Sequence, residues 1–170
     1  ETPYMKNIIM RNCDVVHHAF RYKEPKRFWA NTVFFLQPSN NMLISDILFE
    51  DIRIHADGQF IFLKASADVC AGPGVLGLQP QHYSHVYSIT DTSSYKYKAA
   101  GALNGVIFRN ISVVGDPSVS CGDIFLKGRS KKENIGKITF DNVTFFGTPV
   151  KDSEHKTMYI GKYVEEPIFR

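Results

Sequence analysis

The sequence twice places a phenylalanine two residues before a lysine, and this pairing suggests a binding surface. The two pairs occur in Phe62-Leu-Lys64 and Phe125-Leu-Lys127. Alternate residues of a β-strand lie on the same face, and an unpaired lysine is costly in an apolar core. We therefore expect each phenylalanine to face outward with its lysine. Such a surface would offer aromatic rings to sugars and cations to acidic or hydroxyl-rich groups.

Equivalent positions elsewhere in the chain extend these pairs into a predicted stripe. Its members are Phe35, Gln37, Phe62, Lys64, Phe125, Lys127 and Tyr159, and Asp123 lies on the same face. By the same alternation, Ile61, Leu63, Ile124 and Leu126 face the core. Two alternatives stay open. The long loops cover the stripe and bury it, or a bulge shifts the register and reverses the faces.

Two long loops flank this stripe in the sequence. Residues 18–31 are basic and aromatic, with Arg21 and Trp29, and residues 66–104 contain His82 and Tyr83. In the predicted fold they leave opposite edges of one sheet, so they would form the two walls of a substrate groove. The alternative is that the charges of the first loop form a solvated face. No metal site is predicted, because the loop histidines lack a cluster of cysteines or carboxylates nearby.

The element that positions these residues is a fourfold repeat. Each copy alternates apolar and other residues and contains an Asn or Asp, which indicates two strand segments joined by a sharp bend. The copies begin at Asn7, Asp46, Gly105 and Lys137. A second short apolar segment comes after each copy, at residues 33–37, 60–64, 123–127 and 157–161.

This organisation predicts an all-β fold, a right-handed single-stranded parallel β-helix of about four coils with three short strands each. The coils span roughly residues 6–38, 45–65, 104–129 and 136–162, with an insertion at 66–104, in one domain over residues 1–170. The rival fold is an antiparallel sandwich, which the scarcity of tight Asn-Gly turns disfavours.

The equivalent bend residues Asn12, Asp51, Asn110 and Asn142 should stack as an internal polar ladder. Inward-facing side chains at Asn110 and Asn142 would exclude glycans from the two sequons there. Cys13 stands where other coils have Ile52, Ile111 and Val143, so it is predicted to be a small core residue.

Composition excludes several classes of protein. The 170 residues carry a formal net charge of +3 with interspersed acids and bases, which argues against a polybasic nucleic-acid binder. No apolar run approaches the roughly 18 residues that a membrane span needs. Three cysteines without finger spacing indicate neither a disulfide framework nor a zinc site.

The runs at residues 44–54, 105–113 and 135–145 resemble coils of the pectin-lyase-like β-helix superfamily, especially its polygalacturonase-like and dextranase-like glycoside hydrolases. Lys64 and Lys127 match the lysine of the family's Arg-Ile-Lys motif, with phenylalanine in place of the arginine. The family's Asn-Thr-Asp, Asp-Asp and Gly-His-Gly motifs are missing. Glycoside hydrolysis generally uses two carboxylates, and Asp123 and Asp68 are the only catalytic candidates, so the catalytic residues stay unknown.

The resemblance implies part of a polysaccharide-degrading glycoside hydrolase, bacterial and secreted or periplasmic, whose catalytic acids lie outside this chain. Whether the chain alone is an enzyme stays open, and a non-catalytic carbohydrate-binding, adhesin-like or spike-type module is the alternative. The expected partners are a polysaccharide or oligosaccharide and an upstream β-helix segment or second chain that covers residues 7–16. No cofactor, metal, nucleic acid or membrane is expected as a partner. The chain is expected to be the C-terminal part of a longer β-helix.

Overall fold

The computed structural model describes residues 4–18, 32–38, 42–56, 60–66, 101–117, 122–154 and 158–170. Within these ranges the chain forms ten β-strands, and no helix is present that could cross a membrane. The strands are β1 (Tyr4–His18), β2 (Thr32–Leu36), β3 (Leu43–Ala56), β4 (Phe60–Ser66), β5 (Ala102–Gly115), β6 (Gly122–Lys127), β7 (Ile138–Phe145), β8 (Thr148–Pro149), β9 (Met158–Ile160) and β10 (Ile168–Phe169).

The strands form two sheets in which equivalent strands of successive repeats pair in parallel. The long-strand sheet has the order β1-β3-β5-β7-β10, and the short-strand sheet has the order β2-β4-β6-β9. The chain alternates between the two sheets, so each full repeat adds one strand to both. Among the described strands, β8 is the one that pairs antiparallel, with β7. The all-β prediction is confirmed.

Two columns of bends shape the long strands. The first column is Asn7, Asp46, Gly105 and Lys137, and the second is Asn12, Asp51, Asn110 and Asn142. All eight residues have positive φ, between 39° and 73°, in the left-handed region that Gly, Asn and Asp tolerate best. The parallel ladder continues on both sides of each bend. Each of the first three repeats therefore has one long bent strand and one short strand, where sequence patterns predicted three short ones.

The second column forms the predicted polar ladder, but on the outside of the sheet. Asn142 Nδ2 donates to Asn110 Oδ1 at 3.0 Å, and Asn110 Nδ2 donates to Asp51 Oδ1 at 2.9 Å. All four side chains in the column are exposed. The bend interrupts the alternation of faces, so Glu50 and Asp51 both turn away from the core and Ile52 returns to it. The prediction of an internal ladder is wrong, and burial no longer argues against glycans at the sequons.

Phenylalanine rings fill much of the core. Phe49, Phe108, Phe140 and Phe169 stack along the long-strand sheet, with successive ring centroids 5.1, 5.6 and 5.6 Å apart and interplanar angles of 13° to 15°. Parallel, in-register pairing places the same side chain of each repeat above the last. Burial of one such ring contributes roughly 1.5–3 kcal/mol. Cys13 pairs with Ile52 and packs against this core, half-buried, which confirms its predicted position.

Candidate functional site

The short-strand sheet brings most of the predicted stripe together, in a register that differs at one position. Phe35 pairs with Lys64, Lys64 with Phe125, and Phe125 with Tyr159. We call these four residues the outer column. Phe35 is 41% exposed, Tyr159 is 53% exposed, and Phe125 is half-buried. The Lys64 side chain lies outside the described part of the structure, so only its strand position is known.

Phe62 is the exception, because the register shifts between Ile61 and Leu63. The ring of Phe62 is fully buried, with centroids 5.2 Å from Phe34, 5.6 Å from Phe108 and 5.0 Å from Phe145. At a bulge two residues oppose one, so alternation counted back from Lys64 fails. The prediction that Phe62 faces outward is wrong, and Lys64 takes its position in the outer column. Leu63, Ile124 and Leu126 are buried as predicted.

Ring orientation decides which aromatic surface a ligand can reach. Phe125 and Tyr159 stack with centroids 4.7 Å apart and an interplanar angle of 13°. Each ring therefore turns one face to the other, and the half-buried Phe125 supports the more exposed Tyr159. Since β9 is the last described strand of its sheet, the second face of Tyr159 looks away from Phe125 along the strand order. This face is the one suited to a sugar ring.

Lys127 lies beside the tyrosine at this end of the sheet, and further exposed cations follow in the adjoining turns. A Cβ atom placed on Gly161 would lie 3.3 Å from Tyr159 Cε1 and 3.3 Å from Lys127 Cγ. The tyrosine and the lysine therefore lie next to the same glycine. Gly128 N donates to Lys162 O at 2.9 Å, which holds Lys162 beside the end of β6. The loop after β6 adds further exposed cations, namely Arg129, Lys131 and Lys132. We call Tyr159, Lys127 and Lys162 the tyrosine edge.

The sequence patterns did not assign Lys162 to this edge, nor did they predict the cations of the neighbouring loop. Lys162 and the loop cations come directly after their strands, and the run Lys-Gly-Arg-Ser-Lys-Lys at 127–132 was the signal available. The loop is ordered by the Ser130 hydroxyl, which accepts hydrogen bonds from Lys132 N at 3.3 Å and Glu133 N at 3.1 Å. Arg129 forms a 4.0 Å ion pair with Glu133. Gln37 is half-buried beside β2, at the opposite end of the sheet.

The remaining predicted residues are not brought to this site. Asp123 is a β6 residue opposite Ile61, but its side chain lies outside the described part. Asp68, Arg21, Trp29, His82 and Tyr83 lie outside the described residues altogether. In the described ranges, no three His, Cys, Asp or Glu side chains are grouped to hold a metal ion. The catalytic candidates therefore stay predictions.

A separate cleft of about 390 Å³ lies at the end of the long-strand sheet. Asp141, Lys151 and Arg170 give it mixed charge, and Pro149 and Phe169 give it apolar walls. Nearby, Arg109 donates to Asp141 at 3.0 Å and to Glu50 at 3.2 Å. The hydrogen bond with Asp141, followed by that with Glu50, raises the pKa of the Arg109 guanidinium. This cleft is on the other sheet from the outer column and was not predicted.

Comparison with protein-family models, with curated proteins and with solved structures found no match to this chain. The geometry of the outer column and of the tyrosine edge is therefore the basis for a functional proposal.

Proposed function

We propose that this chain is part of a carbohydrate-active, right-handed parallel β-helix protein of the pectin-lyase-like kind. The parent would be a secreted or periplasmic, bacterial glycoside hydrolase that degrades an acidic polysaccharide, with catalytic acids outside this chain. Support for the β-helix is the alternation between two parallel sheets, with each full repeat adding one strand to both. Support for the ligand is the exposed face of Tyr159 beside Lys127.

The chemistry of the tyrosine edge favours a uronate-containing chain. Apolar C–H groups of a pyranose ring pack on the free face of Tyr159. Phe125 stacks on the opposite face of the tyrosine ring and holds that ring in its orientation. Lys127 and Lys162 are exposed cations within the same edge. Lysine binds a carboxylate as a charge-assisted hydrogen-bond donor. A neutral glucan would use the ring but leave both cations without a counter-charge.

A non-catalytic binding module, adhesin-like or spike-type, is the second candidate. It is favoured because the outer column and the tyrosine edge contain no carboxylate among their members. Binding is common to both candidates, and only the hydrolase releases reducing ends. The decisive comparison is between this chain and a longer protein that contains it.

The test is binding of polygalacturonate by the chain, measured by isothermal titration calorimetry, with dextran as the neutral polymer. We expect Tyr159→Ala to lower the affinity for polygalacturonate about tenfold, taking the lower end of the roughly 1–3 kcal/mol that a nucleic-acid base stacked on an aromatic ring contributes. Tyr4→Ala is the matched control, because Tyr4 is similarly exposed, at 57%, but belongs to the long-strand sheet. Equal affinity of wild type and Tyr159→Ala would contradict the proposal, as would absence of binding.

A further inference from the structure

The free edge of β1 is the longest unpaired strand edge in the described part of the chain. β1 pairs with β3 on one side, and no described strand lies on the other. Its exposed apolar side chains are 37% to 77% exposed, namely Tyr4, Met5, Ile8, Ile9, Met10 and Val16. Ile8 and Met10 pair with Ile47 and Phe49, which are 3% and 8% exposed. The same positions are therefore core wherever another strand is added.

A column of alternating charge crosses the long-strand sheet and begins at this edge. Its members in strand order are Arg11, Glu50, Arg109, Asp141 and Arg170. Arg170 belongs opposite Asp141 because Arg170 N donates to Phe140 O at 2.9 Å and Asn142 N donates to Arg170 O at 3.0 Å. A second column begins with Asp14, whose carboxylate accepts from Arg53 at 2.9 and 3.1 Å.

A second copy of this chain does not fit the edge. Head-to-tail stacking would place Arg170 of one copy opposite Arg11 of the next, and like charges directly opposite one another are destabilising. A two-fold antiparallel contact has two registers to consider. If Ile9 faces Met10, the bends coincide but Arg11 faces Ile8. If Arg11 faces Asp14, the charges pair but Asn12 faces Cys13, so the bends no longer match.

We propose that the free edge of β1 is a docking site for a parallel strand with the pattern of β3, carried by a partner polypeptide. This strand has two bends five residues apart, a carboxylate opposite Arg11 and a cation opposite Asp14. In parallel register this strand would place bend opposite bend, charge opposite opposite charge and apolar residue opposite apolar residue. The strand β3 makes the same three matches on the other side of β1. The site is on a different sheet from the tyrosine edge and does not require glycan binding.

The probe is a fluorescent peptide with the β3 sequence, residues 43–56, carrying a solubilising polyethylene glycol tail. Its binding to the full chain is measured by fluorescence anisotropy, and hydrogen exchange locates the contact. We expect saturable binding with slowed exchange of the β1 amides. A peptide with Glu50→Lys should bind at least tenfold more weakly to the wild-type chain. The chain variant Arg11→Glu should bind this altered peptide about as well as wild type binds the original.

Arg129→Glu is the matched chain variant, because Arg129 is an exposed arginine outside the long-strand sheet, and binding of the original peptide should not change. Absence of binding by the original peptide overturns the proposal, and so does binding that ignores both charge reversals. Self-association of the chain that protects β1 in sedimentation and exchange experiments also overturns it, in favour of a second copy. Polygalacturonate binding is measured on the same samples, so failure of one proposal is distinguishable from failure of the other.

Discussion

The two ends of the long-strand sheet carry the same repeat but differ in whether a further strand covers their apolar side chains. At the β1 end, Met10 is 46% exposed, although its column continues into buried phenylalanines. At the β7 end, Phe140 is fully buried because Phe169 stacks on it at 5.6 Å. Val150 N also donates to Val143 O at 2.9 Å, where β8 folds back beside β7. The short strand β10 and Arg170 after it are enough to cover that side of the column.

This difference shows that the motif alone does not decide burial. An apolar residue in this sheet becomes core only when strands lie on both sides of it, since each strand shields the edge of its neighbour.

The largest expected effect on stability concerns the phenylalanine column itself. Phe140→Ala should lower the free energy of unfolding by about 3–5 kcal/mol, and Met10→Ala by less than about 1 kcal/mol. Urea unfolding followed by circular dichroism measures both, and equal losses would remove the contrast between the ends.

The terminal ring provides a smaller test of the covered end. Phe169 is half-buried on Phe140, so we expect Phe169→Ala to cost about 1–2 kcal/mol of unfolding free energy. Ile168→Ala is the control on the same strand, because Ile168 is 41% exposed, and it should change stability by less than about 0.5 kcal/mol. Thermal unfolding of the two variants side by side decides whether the ring or the strand covers the column.

Charged pairs at the two ends should also differ. Asp141 lies in a network with Arg109, and Arg109 also contacts Glu50, whereas Asp14 forms a single ion pair, with Arg53, within the described residues. Asp141→Asn should cost about 0.5–1 kcal/mol, and Asp14→Asn less than about 0.5 kcal/mol, because an isolated exposed pair contributes little. Unfolding in low and high salt measures both. A larger loss at Asp14 would contradict this order.

The bend columns should give an effect similar in size to that of the ion pairs but opposite in sign, a gain in the free energy of unfolding. Lys137 adopts a φ of 39°, in a column where the first repeat has Asn7 at 58°. Lysine is strained in the left-handed region, so Lys137→Gly should raise the unfolding free energy by about 0.5–1 kcal/mol. Asn7→Gly should change it by a few tenths of a kcal/mol, because asparagine already tolerates this conformation. Chemical unfolding of both variants measures the difference. Destabilisation by Lys137→Gly would show that its side chain contributes more than the bend costs.

Much of the fold could be predicted because parallel stacking repeats the same side chain at the same position. The alignment of Cys13 with Ile52, Ile111 and Val143 came from the motif and matches the register of the sheet. The outward ladder was not predicted, because period-two alternation carries no information about a left-handed bend that breaks it. The last strand was also missed, since Ile168 and Phe169 are too few residues to form a pattern.

At the candidate site, the prediction succeeded for Phe35 and Tyr159 and failed for Phe62. The extra residue in β4 puts Phe62 in the core beside Leu63, and β4 itself contains no glycine or proline to mark a bulge. The stacking of Phe125 on Tyr159 depends on side-chain rotation, which spacing does not encode. The cations of residues 129–132 were visible in the sequence. They lie in a loop, however, where strand alternation does not predict which face a side chain takes.

The constant distance between the two bend columns has a consequence for how this chain tolerates changes in length. In all four repeats the first and second bends are five residues apart. Duplication of a whole repeat would keep every bend beside an equivalent bend, so proteins of this kind can lengthen by whole units. Loss of one residue between the bends would place a left-handed position opposite an extended one in both neighbouring strands. Length variation should therefore be confined to the connections between the sheets or to complete repeats.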